Sequence, residues 1–382
     1  MGSGMSKSLA GVRYAIYWPL VNSHGFGKCE TESSKPYPEV VHGVDSGKPD
    51  PHYRNSCTTE LINNMSKIFL AAGFVLLCLN KAGAQNEGPE KPLIAGAWVH
   101  IFDPNDTRSK EDTTWYTNDH TFIRDRKGIW HAYGIIGHHP VRPWGGETKF
   151  FHITARSLTQ PTWEDHDYAL TAKEGAERVL WAPYVFYEKG LYHMFYNIGN
   201  LQQHAPDYAS WGQLCMATSK DLYHWKRYAL NPFFSDAGHA RDSYVMQYKG
   251  SYYYYYTRTF NEIDHRSVVA VRMGPDLLHW SGPKVVHIQP YKVDWGGDAE
   301  SPFVVRRGKL FYLFICRAMT AYNQTDIYWS ADPENFPVEN LVGSLPVHAA
   351  EIIYDKKEGW FISNTGWDKK GLYLAPLKWA PE

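Results

Sequence analysis

The chain has 382 residues, with 39 Lys and Arg against 40 Asp and Glu and a formal net charge of -1. That balance gives no electrostatic case for nucleic acid or for an anionic membrane surface as partner. Aromatic residues make up 15% of the chain, including 15 Trp and 27 Tyr, a load that suits β-strands and also suits stacking on sugar rings.

Residues 1–64 hold Gly, Ser, Pro and His in no clear period, and "MGSGMSKSLAG" reads as a leader or a misassigned start. From Met65, "MSKIFLAAGFVLLCLNKAGAQ" has the order of a secretory signal peptide. Lys67 is the basic residue, Ile68 to Leu79 the apolar run, and Ala82-Gly83-Ala84 the small-residue cleavage site. The run is too short for a comfortable membrane span, so residues 65–84 are expected to be removed. Residues 85–382 then form one secreted or periplasmic domain with no stable membrane insertion. Cys29 and Cys57 fall in the leader and Cys78 in the signal, so the mature chain keeps Cys215 and Cys316. Both sit in apolar runs and read as buried hydrophobes, not as a disulfide or metal framework.

From residue 95 onward the chain repeats. "FIRDRKGIWHAYGI", "VFYEKGLYHMFYN", "VMQYKGSYYYYYT" and "VVRRGKLFYLFIC" share one plan, and "IIYDKKEGWFISNTG" is a weaker copy. Each is an apolar strand, a polar turn with Gly, and an aromatic strand. The turn glycines are Gly128, Gly190, Gly250, Gly308 and Gly359, about 50 to 60 residues apart. Lys-Gly or Arg-Gly between alternating strands is a hairpin signal. "MATSKDLYHWKRY" and "VRMGPDLLHWSGP" mark a third strand and turn in two copies, with looser echoes in "TARSLTQPTWEDH" and "YWSADPENFPVEN". No long amphipathic helix interrupts the pattern. The reading is an all-β fold, a five-bladed β-propeller of four-stranded antiparallel blades around a central funnel.

Just before these hairpins stand Asp119 in "WYTNDHTFI", Asp242 in "ARDSYVM" and Glu300 in "DAESPFV"; "VHAAEII" offers His348 and "LWAPYVF" no acid. If the copies are equivalent, the three carboxylates occupy one structural position on innermost strands and converge on the channel. Carboxylates so gathered cannot all ionise, which leaves one protonated and another charged. That is the requirement for acetal cleavage by a general acid and a base or nucleophile.

The segments "NDHTFI", "WAPYVFYEKGLYHMFY", "ATSKDLYHW", "RDSYV" and "AESPFV" resemble the signatures of the five-bladed propeller glycoside hydrolases, the superfamily of families 32, 43, 68 and 117. The likeness runs from about residue 95 to the C-terminus. It implies Asp119 as base or nucleophile, Asp242 after Arg241 as the group that orients substrate and stabilises charge, and Glu300 as general acid. Asp-His stands where the family usually has Asp-Pro, and Glu-Ser-Pro where it has Glu-Cys-Pro or Glu-Gly-Pro. By the same likeness His348 matches a blade-five histidine that faces a channel-bound calcium or water; a polar channel residue is the alternative. No cofactor is required, and a structural calcium in the channel is the one ion the likeness allows.

Trp181 is placed for stacking on a sugar or for the core. Arg241 is placed to bond sugar hydroxyls or to pair with Asp242. The Gly/Pro-rich loop "GIIGHHPVRPWGGE", residues 134–147, carries His138, His139, Arg142 and Trp144 and is expected on the funnel rim, where specificity is set. Neither HExxH nor CxxC occurs, which argues against a catalytic transition metal. Asp294, Asp298 and Glu351 are the acids that compete with the assignment. The expected activity is an exo-acting glycosidase on an oligo- or polysaccharide. The rivals are a transglycosylase on the same acids, a sugar-binding propeller without chemistry, and a protein-interaction propeller.

Overall fold

The computed structural model describes residues 88–108, 114–141, 146–199, 213–236, 239–258, 264, 266–293 and 297–381. The leader, the signal sequence, Arg142, Trp144 and Asp294 lie outside these residues.

Five antiparallel sheets follow one another along the chain, each with its first strand innermost. Blade one runs from the inner strand Trp115–Arg124 through Trp130–His138 and Lys149–Ala155 to the short outer pieces Glu164–Asp165 and Leu170–Thr171. Blade two has Trp181–Glu188 innermost, then Leu191–Ile198 and Gln213–Ser219, edged by Lys226–Arg227 and Phe234–Ser235. Blades three and four have the inner strands Ala240–Tyr248 and Glu300–Arg307 and four strands each. Blade five has Ile352–Asp355, Gly359–Asn364 and Leu372–Pro381. Its outer edge is supplied by Glu90–Ile94 and Val99–Phe102, from the beginning of the described chain. The five-bladed propeller is therefore as expected, closed by pairing the two ends of the domain in one sheet.

The hairpins turn where the glycines stand. Lys189 and Gly190 have φ of 47° and 89°, and Lys249 and Gly250 have 49° and 84°. Two consecutive left-handed residues between strands make the tight turn that matches strand twist, and Gly carries its second position without a Cβ clash. The third-strand turns also have a physical cause. Asp221 accepts from the backbone N–H of Tyr223 and His224, both at 2.9 Å. Asp276 accepts from Leu278 and His279, both at 2.8 Å.

The Tyr252–Tyr256 run shows how blades pack. All five rings are buried. Tyr253 and Tyr255 join a cluster with Val304, Leu313 and Ile327 of blade four. Tyr252, Tyr254 and Tyr256 point the other way, into a cluster with Phe195 and Leu214 of blade two. Alternation along a strand between two blades buries both faces, so the sequence reads as an unbroken apolar run. Each buried aromatic ring contributes about 2 kcal/mol or more. Cys215 and Cys316 are free and buried, as expected. No helix among the described residues is long and apolar enough to cross a membrane.

Candidate active site

The inner strands of blades one to four share an irregularity near their channel ends. The pairing jumps from Thr117 to His120, Trp181 to Tyr184, Arg241 to Tyr244 and Glu300 to Phe303, two residues on the inner strand facing one on its neighbour. These are β-bulges, which re-aim side chains. The first bulged residue has positive φ in three of them: Ala182 at 45°, Asp242 at 60° and Ser301 at 51°; Ala349 of blade five has 49°. Asp119, Ala182, Asp242, Ser301 and Ala349, one from each blade, line a common small cavity together with Glu351.

The bulges correct one expectation. Asp119, Asp242 and Glu300 do not occupy a single equivalent position. Glu300 lies immediately before its bulge, Asp242 is the first bulged residue and Asp119 the second. The extra residue turns the strand, so staggered positions face one centre. Direct contacts tie them together. The Ser301 hydroxyl donates to Asp119 Oδ1, and the Ser301 backbone N–H donates to Asp242 Oδ2 at 3.1 Å. Thr257 Oγ1 donates to the same Asp242 oxygen at 3.3 Å. Arg241 donates through Nη1 to Asp242, while its Nη2 lies 3.2 Å from Glu300 Oε1 and 3.1 Å from the Ala299 carbonyl. Arg241 thus pairs with Asp242, one of the two roles open to it, and meets Glu300 as well.

Burial raises the pKa of every acid here, because desolvation penalises the charged form. Glu300 is pushed up to about 8; Arg241 opposes the shift, and the charges of Asp242, Asp119 and Glu147 add to it. Asp242 is pushed up to about 6 by burial, against the pull of Arg241 and with the push of Asp119. Asp119 is raised by burial and pulled back by the Ser301 hydroxyl and Arg241. Of Glu300, Asp242 and Glu147, Glu300 keeps its proton to the highest pH. Its side chain is also a quarter exposed, so it meets the funnel.

A fourth carboxylate, Glu147, was missed by the sequence reading. It is the last residue of the Gly/Pro-rich loop and is buried. Tyr116 Oη donates to its Oε1 at 3.0 Å, Trp367 Nε1 to Oε1 at 3.2 Å, and Trp181 Nε1 to Oε2 at 2.5 Å. Burial pushes it up to about 7, the three donors oppose this, and Asp119 adds to it. Trp181 is itself buried and belongs to a hydrophobic cluster between blades one and two. Trp367 is half-buried and stacks on Tyr322, ring centres 5.2 Å apart.

The other candidates divide. His139 is exposed, with its ring 5.1 Å from that of Tyr116, at the edge of the Glu147 site. Asp298 is fully buried; it accepts from the N–H groups of Met319 and Thr320 at 2.9 and 2.7 Å and from the Thr320 hydroxyl at 2.8 Å. That is the pattern of an acid that staples a loop. Glu351 lines the channel, and burial, with the Asp119 charge adding, raises its carboxyl well above the ordinary range. His348 is fully buried and stacked on Tyr322. Its Nε2 meets Asn118 Oδ1 at 3.0 Å and its Nδ1 meets the Tyr322 carbonyl at 2.8 Å. Both ring nitrogens thus have partners within the protein. Among the described residues no group of three His, Cys, Asp or Glu side chains is placed to hold a metal. A larger surface groove, at Tyr187, Gln247 and Tyr252, lies at the hairpin ends of blades two and three, away from the acids.

The sequence from residue 143 to residue 366 matches the model of glycosyl hydrolases family 43. The chain belongs to that family. It is a glycosidase. Solved structures that share the fold include a thermostable family 43 glycoside hydrolase with a TM-score of 0.53, 16% identical, over 70% of this chain and 90% of that one. Another is a family 117 glycoside hydrolase from the marine bacterium Zobellia galactanivorans, with a TM-score of 0.54 and 14% identity over 76% and 90% of the two chains. A third is a family 43 β-xylosidase/α-arabinofuranosidase from a compost microbial metagenome, in complex with xylotriose. It has a TM-score of 0.53 and 16% identity over 76% of this chain and 95% of that one. No curated protein matches the chain. Membership in family 43 makes an oligosaccharide the substrate class of this hydrolase.

Proposed function

We propose that this family 43 hydrolase is a secreted, exo-acting glycosidase that removes a terminal sugar using Glu300 as general acid, Asp119 as base or nucleophile, and Asp242 with Arg241 to hold substrate and charge. The observation that carries the reading is the cluster itself. Three carboxylates from three blades are linked through Ser301 and Arg241, and Glu300, its side chain a quarter exposed, keeps its proton near neutral pH.

Glu300 delivers its proton to the glycosidic oxygen as positive charge develops at the anomeric carbon. Asp119, held by the Ser301 hydroxyl, either draws a proton from water or attacks that carbon; the configuration of the released sugar distinguishes the two. Asp242 remains paired with Arg241, so its charge faces the developing cation without being free to react. The xylose- and arabinose-type sugars in the names of family 43 neighbours favour a pentoside as substrate. Secretion rests on the order of basic, apolar and small residues from Met65 to Ala84.

The test is product analysis with protein starting at Gln85, on xylo- and arabino-oligosaccharides and the corresponding polymers. Release of one monosaccharide from chain ends at the earliest times is expected. Release of mixed oligosaccharides from polymer would contradict exo action.

A further inference from the structure

Glu147 lies beside the three acids without being one of them, and its surroundings are built. Its donors come from three separate elements: Tyr116 on the inner strand of blade one, Trp181 on that of blade two, and Trp367 in a loop of blade five. A buried carboxylate is costly unless it is hydrogen-bonded, and here a phenol and two indoles engage both oxygens, which fixes those donors in turn. Its backbone is anchored as well, since the Leu180 N–H donates to the Glu147 carbonyl at 2.9 Å. Trp181 leads directly into the blade-two bulge at Ala182, and Trp367 stacks on Tyr322, which also packs on His348. One carboxylate therefore joins the parts of blades one, two and five that flank the acid cluster.

We propose that Glu147 is a positioning residue that, through Tyr116, Trp181 and Trp367, holds the adjoining ends of blades one, two and five in place around the acid cluster. The proposal rests on the reading of that cluster as the catalytic centre. The titratable and charged groups around Glu300 include Arg241, Asp242, Asp119 and Glu147, with the Cys316 thiol and the Tyr322 phenol beside it. Those that face Glu147 are Tyr116, Trp181, Trp367 and, through space, Asp119. Arg241 favours loss of the Glu300 proton and the three carboxylates oppose it, so removing the charge at 147 makes Glu300 easier to ionise. Glu147 acts through the phenol and the two indoles that it holds, and its charge adds to those of Asp242 and Asp119 around Glu300.

Glu147→Gln tests this. The amide keeps one acceptor oxygen and sets an NH2 against an indole N–H or the phenol O–H, so the three-way brace loosens while the volume is kept. In kcat/KM against pH, the basic limb is expected to move to lower pH by about half a unit. KM for an oligosaccharide is expected to rise several-fold, by more than kcat falls. Trp367→Phe removes one donor at a half-buried ring and serves if Glu147→Gln does not fold. Its limb is expected to move in the same direction by less, because a poorer hydrogen-bond shell leaves Glu147 neutral over more of the range. A pH profile and KM that superimpose on those of the wild type in the folded variant overturn the proposal. Failure of the Glu300 reading shows separately, as a Glu300→Gln enzyme whose rate does not depend on the leaving group.

Discussion

Ser301 decides more at the residue scale than its size suggests. Its hydroxyl donates to Asp119 and its backbone N–H to Asp242, so one residue of blade four orients acids from blades one and three. The hydroxyl bond favours the charged form of Asp119, and its loss raises that pKa further. An ionised Asp119 is what the proposed chemistry uses, so Ser301→Ala should move the acidic limb of kcat/KM to higher pH. At acidic pH the rate should fall by roughly three- to tenfold, the worth of one such hydrogen bond. An unmoved limb would separate Ser301 from Asp119. The backbone tolerates the change, since Ala182 and Ala349 hold the same positive φ in blades two and five. Asp119, Asp242 and Glu300 were legible as misplaced acids before aromatic hairpins. Glu147, the final letter of a loop singled out for its histidines and tryptophan, was not. A lone Glu beside two glycines carries no local pattern, and its three donors come from positions 116, 181 and 367.

Strands and turns were the most legible elements, because their signals are local. The turn glycines all have positive φ, and the Tyr252–Tyr256 run alternates between two cores as a two-faced strand must. The bulges were not legible. An added residue at the mouth of an inner strand leaves the hydrophobic pattern beyond it intact, so the copies align by eye while the acids sit one register apart. Closure of the ring also depends on distant partners. Glu90–Ile94 pairs with Leu377–Pro381, and Arg307 of blade four grips Glu90 with two bonds of 2.7 and 3.0 Å. Blade five meets blade one through Thr117 with Thr365 at 2.8 Å, His120 with Ser363 at 2.7 Å and Arg124 with Asp355 at 2.6 Å. A protein starting at Gln85 should unfold as the longer chain does. One starting at Ala95 loses the edge strand and should melt lower by roughly 5 °C or more. Equal melting of the two by calorimetry would remove the strand from the closure.

The whole molecule carries buried groups that bind protons in opposite ways. Glu300, Glu147 and Asp242 have folded pKa values near 8, 7 and 6, above the ordinary 4.5, 4.5 and 3.8. The folded state thus holds protons that the unfolded state has released, and the stability these acids allow is full below about 4 and lost as pH rises through 6 to 8. Buried histidines act in reverse. His120, His239 and His348 are pushed down to about 3 by burial, so they favour folding above pH 6.5 and weaken it as pH falls. The wild-type curve mixes both, and a difference between variants isolates one group. Glu300→Gln lacks the ionisation cost, so its Tm relative to wild type should climb between pH 5 and pH 8. A constant difference would mean that Glu300 titrates as an ordinary surface acid.

If Glu300 is the proton donor, the rate of Glu300→Gln must depend on the leaving group. On an oligosaccharide, whose leaving sugar needs a proton, the variant should lose about 10²- to 10⁴-fold in kcat. On an aryl glycoside with an acidic phenol it should lose far less, because that leaving group departs unaided. Equal losses on both substrates, or wild-type turnover of the oligosaccharide, would remove Glu300 from the role of proton donor.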